Sequence, residues 1–202
     1  MTGYKIVNLK LFLEEFGEDF VKESLSKFSC PLNLDVEKFL KDKAIEFAKQ
    51  SWAQTHLVFA SYKKSPVLVG YFTLASKYIG VSNRIKLSNT TKKRIAQFAT
   101  YNPAARAYFL SAPLIAQLGK NYANGYDKLI TGDELLKLAC DKVKSIQFEL
   151  GGRFAYLECE DKPKLIDFYR SNGFFEFDTR ELDKDETDLS GEYLVQFLKY
   201  IR

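Results

Sequence analysis

A mixed α/β fold, antiparallel in its first half and parallel where helices cross over, follows from three features of the 202-residue sequence. Apolar residues recur at three- and four-residue spacing over the first fifty positions, as on helix faces. Two strand-like stretches separated by "KKSP" come next. From residue 114 onward strand, helix and strand alternate, which implies right-handed crossovers and parallel neighbours.

The elements justify themselves in order. "LKLFLEEFGEDFVKESLSKF" and "LDVEKFLKDKAIEFAKQSW" read as helices, with "SCPLN" turning the chain between them. "THLVFASY" and "VLVGYFTLASKYIGV" form an antiparallel hairpin with a short loop. "NTTKKRIAQFATYNPAARAYF" is a basic, partly helical connector that breaks at Asn102-Pro103. Residues 114–121 are a buried strand. "TGDELLKLACDKVKSIQFEL" is an amphipathic helix opened by a capping box, Thr131 with Glu134, and stopped by Gly151-Gly152. Residues 153–160 are a strand, and "PKLIDFYRSN" is a helix of about three turns with Pro163 in its first turn and Gly173 just past its end. "EYLVQFLKYI" is a final strand. No internal repeat or low-complexity linker divides the chain, so one domain spans 1–202: N-terminal helices over 1–52, hairpin and basic connector over 53–113, and a ligand-binding half over 114–202.

Composition narrows the chemistry. Cys30, Cys140 and Cys159 are odd in number and form no C-x-x-C pair, so neither a disulfide framework nor a zinc site is expected. A reduced, cytoplasmic setting is. The longest uncharged apolar stretch, "VLVGYFTLAS", is far short of the roughly 20 residues that span a bilayer, so no membrane is expected as a partner. His56 is the single histidine and sits in a strand-like stretch, which reads as structural. Residues 41–110 hold twelve basic and two acidic residues, a net charge of +10, whereas 181–192 are acidic. Such a basic segment attracts polyanions through counterion release, unless the acidic tail neutralises it.

The order "LIAQLGKN", a Gly-containing loop, "ITGDELLKLA", "RFAYLECED" and "KLIDFYRSNGF" resembles the GNAT superfamily of acyl-CoA-dependent N-acyltransferases. The N-terminal "FSCPLNLDVEKFLKDKA" with its hairpin resembles the branch that contains bacterial tRNA-acetylating toxins. This resemblance implies that strands 114–121 and 153–160 splay apart to receive acetyl-CoA, with no metal. It implies a backbone N–H near Leu118 or Gly119 as oxyanion donor. Loop 122–132 would hold the pyrophosphate at a helix N-terminus through Ile130, Thr131, Gly132 and Asp133, with Lys128 adding charge. The family loop, Arg/Gln-x-x-Gly-x-Gly/Ala, survives here only as Gly132 of "DKLITG", with Asp127 in place of the basic or amide residue. Either the backbone of 130–133 suffices, or the site is degenerate and the protein is a binding module.

Phe168, Tyr169, Gly173 and Phe174 match the family's F/L-Y-x-x-x-G-F pattern, which assigns Tyr169 as the general acid that protonates a leaving thiolate. A phenol, with pKa about 10, keeps its proton at neutral pH. Glu160, at the end of its strand, is the candidate general base. Cys159 as a nucleophile would need His56 from a distant strand and is better read as a small buried residue. The acceptor is an amine. The basic segment 41–110 and the N-terminal likeness point to the amino group of an aminoacyl-tRNA; a protein amine or a small amine are the alternatives. The apolar N-terminal helix pair serves a homodimer contact as readily as it caps the sheet.

Overall fold

The computed structural model describes residues 3–183 and 191–202. Residues 184–190, most of the acidic run that the sequence offers as a neutralising tail, lie outside them. The strands form an eight-stranded mixed sheet in the order β1-β2-β3-β5-β6-β8-β7, with β4 (Thr100–Asn102) pairing off this path to β5. The chain divides into two compact units, residues 1–75 with 115–139 and residues 76–114 with 140–202.

In the first unit β1 (Tyr4–Asn8) runs antiparallel to β2 (Gln54–Tyr62), and β2 to the first part of β3 (Ser65–Ser82). Asn8 ends β1 and caps α1 (Leu9–Phe16), its Oδ1 accepting from the N–H of Lys10 and Leu11. After α2 (Glu18–Ser26), Asn33 caps α3 (Leu34–Lys38), a wide π-helical turn follows at Phe39–Lys43, and α4 is Ala44–Lys49. Leu9, Val21, Leu25, Phe28, Val36 and Leu40 bury against Leu57 and Tyr71. Tyr71, fully buried, donates its hydroxyl proton to the carbonyl of Val36 at 2.5 Å, so the phenol is satisfied inside an apolar core.

Gly119 is where this packing is tightest. A Cβ there would lie 2.3 Å from Cγ1 of Val36. Gly119→Ala is therefore expected to cost about 1–3 kcal/mol of stability, read as a lowered denaturation midpoint.

In the second unit α5 (Asn89–Phe98), capped by Ser88, covers a core of Ile79, Val81, Ile95, Leu110, Ala112, Phe154, Tyr156 and Leu198. β5 (Ala107–Lys120) is parallel to β6 (Phe154–Glu160), in register at Leu114 with Tyr156. β8 (Tyr193–Tyr200) is antiparallel to β6, and β7 (Phe175–Glu181) to β8. The helices of the second half are α6 (Gly132–Leu150) and α7 (Pro163–Ser171). No helix among the described residues is long and apolar enough to cross a membrane.

The hairpin, α6, β6, α7 and β8 fall where the sequence places them. Three elements differ. β1 replaces the expected helical start, because the five residues "YKIVN" pair with β2 before the helical rhythm begins at Leu9. The connector at 89–113 is more ordered than expected: it holds α5, then β4, then the first half of a β5 that begins at Ala107 rather than 114. "FEFDTRE" forms β7 although charges interrupt it, since an edge strand needs only one paired side.

Candidate active site

In the first unit the chain leaves β5 through Lys120 and enters a 3-10 segment, Ala123–Leu129, rather than an open loop. Asn124 and Gly125 take left-handed conformations there. Side chains hold the excursion shut. Lys120 donates from Nζ to the carbonyls of Asp127 at 2.9 Å and Ile130 at 3.2 Å. Asn121 accepts at Oδ1 from the N–H of Ser29 and Ala123 and donates from Nδ2 to Leu68. Tyr4 donates to the carbonyl of Leu129 at 2.9 Å.

The capping box forms as the sequence predicts, and it changes what the N-terminus of α6 can offer. Oε2 of Glu134 accepts from the N–H of Thr131 at 2.8 Å and from its hydroxyl at 2.9 Å, while the Glu134 N–H donates to Oγ1 of Thr131 at 3.1 Å. These bonds hold the Glu134 carboxyl below the usual carboxylate range. Of the residues proposed to face a pyrophosphate, Ile130 is buried and Thr131 already serves an internal carboxylate. The amides of Gly132 and Asp133 stand at the positive end of the helix, and Lys128 is exposed nearby in sequence. The residues fit an anion at those two amides, in competition with the helix's own acid. Glu134→Ala is expected to lower the thermal midpoint by an amount corresponding to about 1 kcal/mol. It should also free the Thr131 amide and so tighten binding of an anion such as inorganic pyrophosphate; calorimetry reads the second effect.

Leu118 and Gly119 lie near the end of β5, Gly119 buried against Val36, Tyr71 and Phe28.

In the second unit α7 starts on Pro163 and ends in a glycine turn. Gly173 is left-handed at φ 80°, its N–H donating to the carbonyl of Arg170, and the Phe174 N–H donates to that of Tyr169. Lys199 secures the turn by donating to the carbonyl of Asn172 at 2.8 Å. Tyr169 thus sits on the last turn of α7. Its ring packs against Phe168, Phe174 and Phe197 with centroids 5.1, 6.0 and 5.7 Å away. Burial, with a smaller contribution from Cys159, pushes its hydroxyl well above the usual phenol range. The proton stays on oxygen at neutral pH.

The two candidate catalytic residues occupy opposite faces of the sheet. Phe197, which touches Tyr169, is registered opposite Leu157, on the face of Ala155 and Cys159. Glu160 alternates to the other face with Tyr156 and Glu158, and its Oε2 is ion-paired to Nζ of Lys162 at 2.7 Å. Cys159 is buried, and desolvation followed by the charges of Glu176, Glu160 and Asp161 pushes its thiol up to about 12. It carries no thiolate at neutral pH. His56 is buried in β2, stacked on Phe72 at 5.0 Å.

A polar network that the sequence does not announce lies on the Glu160 face. Tyr156 donates to Oε1 of Glu158, Arg180 pairs with Oε2 of Glu158 at 2.7 Å, and Gln196 donates to the Tyr156 hydroxyl at 2.7 Å. Glu158 and Gln196 are directly opposite in register across β6 and β8. Arg180 arrives from β7. Only strand pairing brings these four together, and no local motif could have shown it.

No family model and no curated protein matches the sequence. Solved structures do. The chain is similar to a structure of AtaT complexed with acetyl-methionyl-tRNAfMet, at 16% identity over 95% of this chain and 93% of that one, with a TM-score of 0.59. It is similar to a structure of AtaTR bound with AcCoA, at 15% identity over 98% and 94%, TM-score 0.55. A structure described as a bacterial toxin matches at 16% identity over 98% and 90%, TM-score 0.63. Identities this low speak for the fold. The chain has a GNAT-like fold, similar over nearly its whole length to that of the AtaT toxin structures.

Proposed function

We propose that this protein is an acyl-CoA-dependent N-acetyltransferase that delivers the acetyl group directly to an amine. The observation that carries the reading is Tyr169: a partly buried phenol set on the last turn of α7, its ring fixed by three aromatic neighbours, which keeps its proton at neutral pH. The acyl thioester supplies the activated carbonyl. Tyr169 holds a proton at Oη and offers a hydrogen bond to negative charge developing on sulfur. The amides of Gly132 and Asp133, with Lys128, would hold the pyrophosphate, and a backbone N–H near Leu118 or Gly119 would face the carbonyl oxygen. Glu160, paired through Oε2 with Lys162 and on the sheet face opposite Tyr169, would accept the amine's proton from an acceptor that approaches on that face.

The basic segment 41–110 supports an aminoacyl-tRNA as the acceptor. Bulk tRNA should protect lysines of that segment from acylating reagents, and turnover should fall steeply with salt. Salt-insensitive turnover of small amines would sink this choice of acceptor while leaving the enzyme in place. A second reading, a GNAT-fold binding protein without catalysis, is favoured by the Glu134 carboxylate seated on the Thr131 amide. Calorimetry with acetyl-CoA decides between the two: absence of heat at high micromolar concentration would leave only the second.

A further inference from the structure

The stretch 76–114, the first segment of the second unit, contains seven basic residues and no acidic one. Its strands also collect aromatic rings that are far apart in sequence. Tyr78, 66% exposed near the end of β3, stacks on Phe109 of β5 with centroids 5.7 Å apart and planes 19° off parallel. Thr100 and Asn102 of β4 are registered opposite Phe109 and Ala107. With these two rings they line an open cleft of about 200 Å³.

The platform is built into the backbone. At Gly80 a Cβ would lie 2.9 Å from the Phe109 ring, so only glycine lets that ring lie across the strand. Asn102 is held by the N–H of Ala104 and Ala105, both donating to Oδ1, which leaves its Nδ2 as a donor beside the rings. Asn83 bonds the carbonyl of Arg106 and the hydroxyl of Tyr101, tying the turn that carries Arg84 to the one that carries Arg106. Lys77, Arg84, Lys86 and Arg106 are all exposed, and none makes an ion pair among the described residues.

We infer that this cleft is a nucleobase-stacking site for single-stranded RNA: one unpaired base lies on the Tyr78–Phe109 pair while the neighbouring cations hold flanking phosphates. Aromatic faces accept any base, amide and hydroxyl groups at the rim meet its polar edge, and unpaired cations follow the backbone. A second copy of this chain is a poorer occupant, because a two-fold contact here would press two carboxylate-free, +7 segments together. The inference rests on the reading of the basic segment as RNA-facing and adds where a base goes.

Fluorescence anisotropy with a short labelled single-stranded RNA tests it. Wild-type affinity should fall as salt rises from about 50 to 200 mM. Tyr78→Ala should weaken binding roughly tenfold with the salt slope unchanged, and Tyr78→Phe should restore it. Arg84→Gln with Arg106→Gln should instead flatten the slope by roughly 0.7 per lost contact. On the wild-type protein, the same strand made abasic should bind more weakly, a comparison that needs no variant to fold. Equal affinity for abasic and intact strands, or no loss in Tyr78→Ala, would overturn the stacking site while leaving the basic surface standing. No RNA binding by the wild type would overturn both. A dimer that dissociates on Tyr78→Ala, with RNA binding unmoved, would assign the cleft to a second copy.

Discussion

Tyr169→Phe is expected to lower acetyl transfer by about 10²- to 10⁴-fold while acetyl-CoA still binds. The substitution removes one oxygen and leaves the ring in its setting of Phe168, Phe174 and Phe197, so the helix end and its glycine turn should persist. Calorimetry for binding and single-turnover kinetics for transfer separate the two effects. Because burial holds the phenol far above its ordinary range, wild-type turnover should show no ionisation of this residue between about pH 6 and 10. Unchanged transfer in the variant would return Tyr169 to a packing role and remove the observation that carries the enzymatic reading.

Arg180→Met is expected to cost about 3–5 kcal/mol of stability, the penalty of stranding a buried carboxylate. Glu158 is nearly buried at 9% exposure and has Arg180 as its cationic partner at 2.7 Å. Burial alone would raise the Glu158 carboxyl. Hydrogen bonds from Arg180 and Tyr156, with the Arg180 charge, outweigh it and hold the group below the usual carboxylate range. A depressed carboxyl contributes stability above its unfolded pKa, near 4.3 by the general value for glutamate, and loses it as pH falls through the folded one. In the variant burial wins, so the charged form becomes the destabilised one. The gap between wild type and Arg180→Met should be widest at neutral pH and should narrow on acidification. Adding Glu158→Gln to the variant should recover much of the loss. A gap independent of pH would show that Arg180 acts through packing alone.

Local chemistry made much of the fold legible. Thr131 and Glu134, Pro163, Gly173 and the "KKSP" turn each fix a boundary through bonds within a few residues, and each recurs in the structure. Tyr169 was legible for the same reason, since its position depends on a nearby helix end. What the sequence hid depends on pairing across strands. Glu158 reads as one of two alternating acids until Gln196 stands opposite it and Arg180 arrives from β7. The aromatic platform behaves likewise: the sequence shows no RNA-binding aromatic motif, because Tyr78, Thr100 and Phe109 become neighbours only when β3, β4 and β5 form. The segment before α6 was legible only in part. Its capping box already seats the Glu134 carboxylate on the Thr131 amide, whereas the bonds from Lys120 and Asn121 that close the segment are a matter of side-chain geometry.

The π-helical turn at Phe39–Lys43 bears on how this chain tolerates changes in length. Val36, Leu40, Ala44 and Ala48 are all buried, a stripe that repeats every four residues. On a helix of 3.6 residues per turn each such step drifts by about 40°, so three steps would carry the stripe well away from its partners. A turn closed five residues apart instead of four takes up part of that drift and returns α4 to the face that α3 began. The wide turn is in effect one inserted residue that the backbone absorbs on the spot, sparing every later side chain from being turned out of the core.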